Sequence, residues 1–530
     1  LLPIAYAEVE ISSPTQTSLA PSPLFDAIKK HTTEPAILSR HHPAMQGKDP
    51  LENGMNKYSQ DYRQMPLDLI ELAASSIAEE FNAIQSPIPK RVLTIDESIN
   101  GIPGAPYVTP LSMKPSAGYP FCLDAKTRGP KRTLFTQQPD GKYKPTNPLL
   151  NSILVKDKAE LEAGIANTDQ FVDTIKDERR PIEKKTKGRM FSVAPLALTI
   201  LSRTYFLSFF AHMYFCRLKT FSAIGINKGS LEWHYLIKRM LEVGNHGTAG
   251  DYSKWDGTLL ASVFFSCLLI INSWYGEKSS QTKTCRKTIF ERVCFCFHRN
   301  RKFIYQTNGG MPSGWDGTVC INSLANEIYL RVCWMLLVPP QYKDLIHYKR
   351  FVRSAIYGDD NMLSVDMHFI SFYNGKTISL ILLDFGITLT PATKSGSFTG
   401  LSTPIFECTF LKNSTGILDS KYVPLMDMDA LLESLNWIRP IPEVSNDQLC
   451  EDTCNMVLMN LMFYGEEVFS RIRNKILVLR PHYKLLSFHF LKAEFFQYGI
   501  VTDPMNSFGF TKNSYPSAFI EQSVLDDEYL

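Results

Sequence analysis

The chain has no convincing membrane span. Its best apolar run, residues 259–271, is broken by Ser262 and Ser266 and is too short to cross a bilayer, so it reads as a buried helix. Residues 196–216 are apolar as well, but Arg203 and His212 interrupt them. The first residues lack the basic-then-apolar order of a signal peptide. They also lack an initiator methionine, so a processed product or a fragment is expected. Net charge is nearly absent: 56 Lys and Arg face 53 Asp and Glu, a formal +3, which excludes a histone-like polycation. A regular cysteine framework is missing too. The eleven cysteines are odd in number and irregularly spaced, which suits a reducing compartment. Cys294, Cys296 and His298 form the tightest cluster, with alternate positions sharing one face if the segment is a strand. No second CxxC or HxxxH partner accompanies them, and no zinc site is expected. Cys450 and Cys454, one helical turn apart, read as small core residues. No repeat of fixed period is present. The tetrapeptide WDGT occurs at 255–258 and 315–318, too few copies for a WD-repeat propeller.

What is present is ordinary for a folded protein. Apolar residues make up 44% and charged residues 21%, and 530 residues suggest three or four domain-sized units. The first fifty residues, rich in Pro, Ser, Thr and His, read as an extended arm that needs something to pack on. Helical periodicity appears at 67–81, and the last 110 residues or so read mainly helical, for example at 426–437 and 449–472. Asp526, Asp527 and Glu528 form an acidic tail. Three basic islands stand out on this neutral background. Residues 126–144 hold six Lys/Arg and one acid, 179–189 hold six and one, and 283–302 hold seven and one. One island alone reads as a solvated surface, but three suggest a basic groove for a polyanion.

Three segments carry chemistry. Ile356-Tyr357-Gly358-Asp359-Asp360-Asn361 lies between β-compatible runs and reads as a hairpin with carboxylates at its tip. Asp251-Tyr252-Ser253-Lys254-Trp255-Asp256-Gly257 follows a short strand near 247–250. Its two acids would face opposite sides of a continuous strand, so they share a site only if the chain turns between them, and Gly257 favours such an early break. Residues 309–317 hold a glycine-rich loop that feeds a helix. Along that helix Thr318, Asn322 and Asn326 make a polar stripe at i, i+4 and i+8 on an otherwise apolar rod. Helix capping with a partly exposed face would explain the stripe, and so would ligand binding, because buried polar groups are costly without a partner.

The order Asp-x4-Asp, Ser-Gly-x3-Thr-x3-Asn, Tyr-Gly-Asp-Asp resembles the palm motifs of viral RNA-dependent RNA polymerases. Ser116-Ala117-Gly118-Tyr119-Pro120 is similar to the template-entry motif of the picornavirus-like enzymes. Lys176-Asp177-Glu178-Arg179-Arg180, continuing to Lys184, Lys185, Lys187, Gly188 and Arg189, resembles their basic fingertip motif. Residues 385–394, ending in Lys394, resemble the fourth palm motif, and Thr409-Phe410-Leu411-Lys412 the primer-grip hairpin. Glu433-Ser434-Leu435-Asn436-Trp437 and Gly465-Glu466-Glu467 resemble thumb signatures. Matching pieces span about residues 100–475. The basic run and Ile224-Gly225-Ile226-Asn227 are most like the dicistrovirus and iflavirus branch of the picorna-like positive-strand RNA viruses. Trp315 and Asp316 depart from the usual small loop residues, and Lys187-Gly188-Arg189 replaces the familiar Gly-Lys-Thr/Ser-Arg order.

The resemblance implies an α+β fold in the form of a closed right hand, with an antiparallel palm sheet backed by helices and a mainly helical thumb. Fingers would cover 1–205 and 283–310, palm 206–282 and 311–417, and thumb 418–530, with the N-terminal arm bridging fingers to thumb. It implies RNA-directed RNA synthesis by two Mg²⁺ ions, with Mn²⁺ able to substitute. Asp251, Asp359 and, as a weaker or shared ligand, Asp360 would hold the metal. Lys394 would protonate the leaving pyrophosphate or stabilise its charge. Arg189 would grip the triphosphate, while Lys176, Arg180 and Lys184 line the nucleotide path. Asp256, Asn322 and Ser313 would read the ribose, with Thr318 beside them and Gly314 in a mobile loop. Ser116, Ala117, Gly118 and Lys412 would contact template and primer. Partners implied are RNA template and primer, ribonucleoside triphosphates, a genome-linked protein primer and other viral replication proteins. The implied location is the host cytoplasm, at membrane-associated replication complexes reached through partners. Two rivals stand beside this reading: a reverse transcriptase, and a non-catalytic RNA-binding scaffold. Asp256 with Asn322 argues against the first, and the three intact acids against the second.

Overall fold

Two apolar helices set the core. Leu196–Phe215 is buried along almost its whole length. Its polar interruptions are satisfied from neighbouring segments. Arg203 donates to the carbonyls of Ser98 and Thr109, and the His212 ring contacts Ser86 Oγ at 2.9 Å and the Phe81 carbonyl at 3.0 Å. Burial pushes His212 down to about 4, so the ring is neutral. By length and composition this helix could cross a membrane, but here it is wholly enclosed by protein. The second helix, Thr318–Leu337, is buried on every face from Cys320 to Met335. Leu67–Ala83 and Ala261–Tyr275 pack against it, close to where the periodicity and the apolar run place helices. The computed structural model describes residues 1–59, 61–166, 169–394 and 396–498; the acidic tail at Asp526, Asp527 and Glu528 lies outside the described residues.

A four-stranded, fully antiparallel sheet lies against the Thr318–Leu337 helix, in the order Val352–Tyr357, Asp360–Val365, Gly247–Tyr252, Leu389–Pro391. A second sheet of five strands runs Leu2–Tyr6, Phe303–Gln306, Phe297–Asn300, Gln170–Ile175, Met190–Val193. The N-terminal arm is extended and gains its order by pairing. Leu2–Tyr6 joins the five-stranded sheet, Ala20–Pro21 pairs with Trp437–Ile438, and Thr33–Pro35 pairs with Arg179–Pro181. Glu433 accepts from the Thr32 and Thr33 amides at 3.1 Å each, and Asn436 takes the Asp26 amide at 2.8 Å. The Glu433–Trp437 segment thus clasps the arm, and Trp437 meets Phe25 edge-on.

Several elements differ from the sequence expectation. The helix expected over 426–437 is only Met428–Glu433, because Trp437 and Ile438 leave to pair with the arm. The helix expected over 449–472 is two, Asn446–Leu461 and Glu466–Leu479, split at Gly465, whose φ of +91° ends helical geometry. Cys294 closes a helix, Ser280–Cys294, and Cys296 precedes a strand, so the three-residue strand face does not form. His298 instead lies between Cys296 Sγ at 3.2 Å and Asp173 Oδ1 at 2.9 Å. All eleven cysteines are free thiols. The third basic island is split: Lys283, Lys287 and Lys302 are exposed, and its arginines turn inward. Arg286 and Arg292 are fully buried, paired with Glu277 and with Glu160 and Asp169, and Arg301 binds Asp49 at 2.9 Å. These charges hold the fold and do not line a groove. The junctions expected after residues 205, 282 and 417 fall inside the helices Leu196–Phe215 and Ser280–Cys294 and the hairpin Asn413–Leu418/Lys421–Met426.

Candidate active site

The hairpin Val352–Tyr357/Asp360–Val365 turns at Gly358 and Asp359. Gly358 has a φ of +67°, a conformation glycine adopts without strain. The tip is braced from the long helix. Ser323 Oγ accepts from the Gly358 amide at 2.7 Å, and Asn326 Nδ2 donates to the carbonyls of Gly358 and Asp359 at 3.1 and 3.2 Å. Asn326 Oδ1 also takes the Tyr252 hydroxyl at 3.1 Å. Asn326 therefore ties the hairpin tip to the strand that carries Asp251. That strand pairs with the hairpin so that Gly250 faces Asn361. One residue further along, the antiparallel register sets Asp251 opposite Asp360, with Asp359 at the adjoining turn. Burial, reinforced by Asp360 and then by Asp256 and Asp251, pushes the Asp359 carboxyl up to about 6. Burial and Asp251 also raise Asp360, while Lys412, Lys394 and Lys228 pull it back. The carboxylates repel one another at one end of the sheet, where a cation would be welcome. Among the described residues no three side chains are already gathered as a metal-binding set.

Cations stand around these acids. Lys394 Nζ lies 3.3 Å from Asp251 Oδ2, and its side chain is 77% exposed. Lys412, at a φ of +62° in the turn before the Asn413–Leu418 strand, contributes to the field at Asp360. Lys228, whose ammonium contacts the Leu411 carbonyl at 3.4 Å, joins them.

Asp256 is brought to the site by a turn that falls between the two acids. The chain reverses at Lys254, a non-glycine residue at φ +55°, and a short helix, Trp255–Thr258, carries Asp256. Gly257 serves close approach, since a Cβ there would collide with the Lys57 carbonyl. Asp256 Oδ2 accepts from Lys57 Nζ at 3.0 Å and from the Ser313 hydroxyl. Asn322 is 5% exposed, and its Oδ1 has no hydrogen-bond partner. A buried, unsatisfied amide on the polar stripe is what a ligand-reading group looks like before its ligand arrives. Thr318 spends its proton on the Trp315 carbonyl at 2.7 Å, which favours capping over ligand donation for this residue.

The glycine-rich loop is fastened more firmly than a mobile loop would be. Gly314 bridges to Val193, and a Cβ on it would collide with the Ser192 carbonyl. Trp315 is buried among Phe206, Phe210, Phe264 and Phe290 and donates to Ser202 Oγ at 2.9 Å. The departure at Trp315 is thus a core anchor. Burial lifts the Asp316 carboxyl to about 6, against the pull of Arg203. The Ser116–Gly118 segment packs beside the same strand end. Gly118, at φ +69°, leaves 2.7 Å between a would-be Cβ and the Ala194 carbonyl, and the Ala117 carbonyl takes the Leu196 amide at 3.1 Å.

The basic segment converges on one acid. Arg189 Nε donates to Glu178 Oε1 at 2.6 Å and its other arm to Oε2, while Lys176 and Arg180 lie 3.7 and 3.9 Å from Glu178. Arg189 also feels Asp359 and Asp256, which places its charge within electrostatic reach of the hairpin. Lys184 sits exposed on the short turn Ile182–Lys184 and is not drawn into this cluster. Sequence reasoning missed Lys57, Lys228 and the bracing role of Asn326, and it did not foresee Glu178 as the counter-charge. Lys57 belongs to no motif, and no local signal marks it. Asn326 was visible on the polar stripe.

A family model described as viral RNA-dependent RNA polymerase matches residues 23–479. The chain is 30% identical over 502 residues to the genome polyprotein of Rice tungro spherical virus (strain Vt6), which covers 89% of this chain and 14% of that polyprotein. It is 27% identical over 500 residues to the replicase polyprotein of Cricket paralysis virus, covering 89% of this chain and 28% of the polyprotein. Among solved structures, the Sicinivirus 3Dpol RNA dependent RNA polymerase matches with a TM-score of 0.78 at 22% identity, over 94% of this chain and 99% of that one. The chain therefore spans 14% to 28% of the length of these polyproteins, and nearly the whole of the matching structure. That match carries the α+β right-hand fold.

Proposed function

The chain belongs to the viral RNA-dependent RNA polymerases, enzymes of RNA-templated RNA synthesis, and from this premise we propose a two-metal nucleotidyl transfer at the end of the four-stranded sheet. The observation that carries the reading is the pairing of Asp251 opposite Asp360 beside Asp359, with burial and mutual repulsion raising two of the three carboxyls. Clustered hard carboxylate oxygens fit Mg²⁺, and Mn²⁺ by the same donors. Asp251, Asp359 and Asp360 would hold the ions, completing their set with triphosphate oxygens and water. Bound there, the ions would neutralise the triphosphate and lower the pKa of the primer 3′-hydroxyl.

The remaining residues bind and orient. Arg189 is the fork that takes triphosphate oxygens, which requires it to exchange Glu178 for phosphate. Lys176 and Arg180 follow the same exchange. Lys394 holds a proton 3.3 Å from Asp251, and its exposed stem lets it swing to the leaving pyrophosphate. Asp256 and Asn322 read the 2′-hydroxyl, which is both donor and acceptor. Lys412 and the Ser116–Gly118 segment meet primer and template. The assignment of fingers to 1–205 and 283–310, palm to 206–282 and 311–417 and thumb to 418–530 follows the resemblance, as do a genome-linked protein primer and recruitment to cytoplasmic membrane complexes. Primer extension on an RNA template in Mg²⁺ tests the core of this. Asp359→Asn should lose at least a thousandfold in nucleotide addition while its melting curve and RNA binding hold. Normal extension by that variant would remove Asp359 from the metal site.

A further inference from the structure

Lys57 reaches the site from the short helical turn Asn56–Tyr58, just beyond the N-terminal arm and 199 residues away in sequence from the acid it meets. Its ammonium is held by two acceptors, Asp256 Oδ2 at 3.0 Å and the Met190 carbonyl at 3.1 Å, and its side chain is 14% exposed. The residue is not free to drift. Its carbonyl abuts Gly257, where no side chain fits. The next residue, Tyr58, is packed against His298 and Tyr305, with ring centroids 5.0 and 6.3 Å away. The Asn56–Tyr58 turn and the turn that carries Asp256 are therefore in direct contact, and the ammonium lies 4.9 Å from the centroid of the buried Tyr58 ring.

The consequence lies in how Asp256 is used. A carboxylate's terminal torsion is broad, so an unheld Asp presents either oxygen in many orientations. Two donors, Lys57 and Ser313, meet on Oδ2. Together they fix the plane of the group and leave Oδ1 to accept. We propose that Lys57 is a positioning residue for sugar selection, presenting Asp256 Oδ1 to the ribose 2′-hydroxyl of the incoming nucleotide. The inference rests on the reading of Asp256 and Asn322 as ribose-reading groups and adds to it the residue that sets their geometry.

Lys57→Met keeps the apolar stem and removes the donor. On an assembled RNA primer-template in Mg²⁺, the ratio of kcat/KM for a ribonucleotide to that for its 2′-deoxy analogue should fall tenfold or more. The loss should come from the ribonucleotide, with the 2′-deoxynucleotide changing less than threefold. Lys57→Arg, which restores a cationic donor, should recover part of the ratio. An equal loss for both sugars would make Lys57 a phosphate contact or a fold support, and would overturn the inference. Asn322→Ala, measured alongside, separates the two layers. If it lowers the ratio and Lys57→Met does not, the positioning role falls and the ribose reading stands. If neither moves the ratio, both fall. Should Lys57→Met fail to melt as a folded protein, Lys57→Gln carries the same comparison.

Discussion

Asn326→Ala is the substitution whose effect the structure specifies most fully. The side chain is fully buried and bridges four groups: the carbonyls of Gly358 and Asp359, the hydroxyl of Tyr252 and, at a longer 3.4 Å, the Asn361 amide. Truncation leaves two carbonyls and a hydroxyl short of partners in a region closed to water. A net hydrogen bond contributes about 1 kcal/mol, and an orphaned buried group costs about 1–3 kcal/mol. Each carbonyl keeps a second lone pair, so the low end applies, and a loss of about 3 kcal/mol in stability is expected. The catalytic effect should be the larger one. Asp359 lies at the turn that Asn326 braces, and Asp251 lies on the strand Tyr252 belongs to. Without the brace the two acids lose their common reference, and a displacement on the order of 1 Å at a reacting centre costs about a hundredfold in rate. Single-turnover incorporation, measured well below the variant's melting transition, reads this directly. Asn326→Asp should be at least as slow, because it sets a carboxylate against two carbonyl oxygens. A variant that melts lower yet incorporates at the normal rate would refute the argument, since the brace would then serve stability alone.

Lys394→Leu should lower the maximal incorporation rate tenfold or more with little change in apparent nucleotide affinity, as pre-steady-state kinetics would show; an effect confined to affinity would leave Lys394 as a steering charge. Neutralising Lys126, Arg128 and Arg132 together should flatten the log–log salt dependence of RNA binding, by about one unit of slope for each phosphate no longer neutralised, whereas Arg292→Met should lower the melting temperature and leave that slope unchanged. The buried His298–Asp173 pair gives a pH signature. Burial alone would depress His298, but Cys296 and Asp173 overcome it and lift the ring to about 10. A raised histidine stabilises the fold fully below its unfolded pKa of about 6.5 and loses that contribution as pH climbs through 10. Wild type should therefore lose stability, on the order of a few kcal/mol, between pH 7 and 10 relative to His298→Gln; parallel pH profiles would refute the pairing.

The acids of the site were legible because their positions are local matters. A glycine and two acids between apolar runs can only be a turn with carboxylates at its tip, and the hairpin forms with Gly358 at positive φ. The polar stripe was legible for a similar reason, since helical spacing puts Asn322 and Asn326 on one face wherever the helix packs. The turn between Asp251 and Asp256 was legible from their spacing, but not which residue makes it: Lys254 takes the left-handed conformation, and Gly257 is glycine for lack of room. The C-terminal helices are cut differently from the expectation because Trp437 and Ile438 find a strand partner at Ala20–Pro21, near the opposite end of the chain, which no local pattern encodes.

The cations were the illegible half, and there is a physical reason. The carboxylates must sit at fixed backbone positions, because their stems are short. Lysine and arginine have long stems and can serve a site from many places on the chain. Lys57 comes from the Asn56–Tyr58 turn, Arg189 from the edge of the five-stranded sheet, Lys228 from the loop after the first core helix, and Lys394 and Lys412 from loops flanking the four-stranded sheet. The same latitude makes a basic island ambiguous. Arg286 and Arg292 are indistinguishable in sequence from groove-lining arginines, yet they are buried against Glu277, Glu160 and Asp169. What separates the two fates is whether an acid lies within the reach of the stem. Glu178 shows the intermediate case: its side chain is only 15% exposed, and it gathers Arg189, Lys176 and Arg180, of which Lys176 and Arg189 keep more than half of their side chains in solvent.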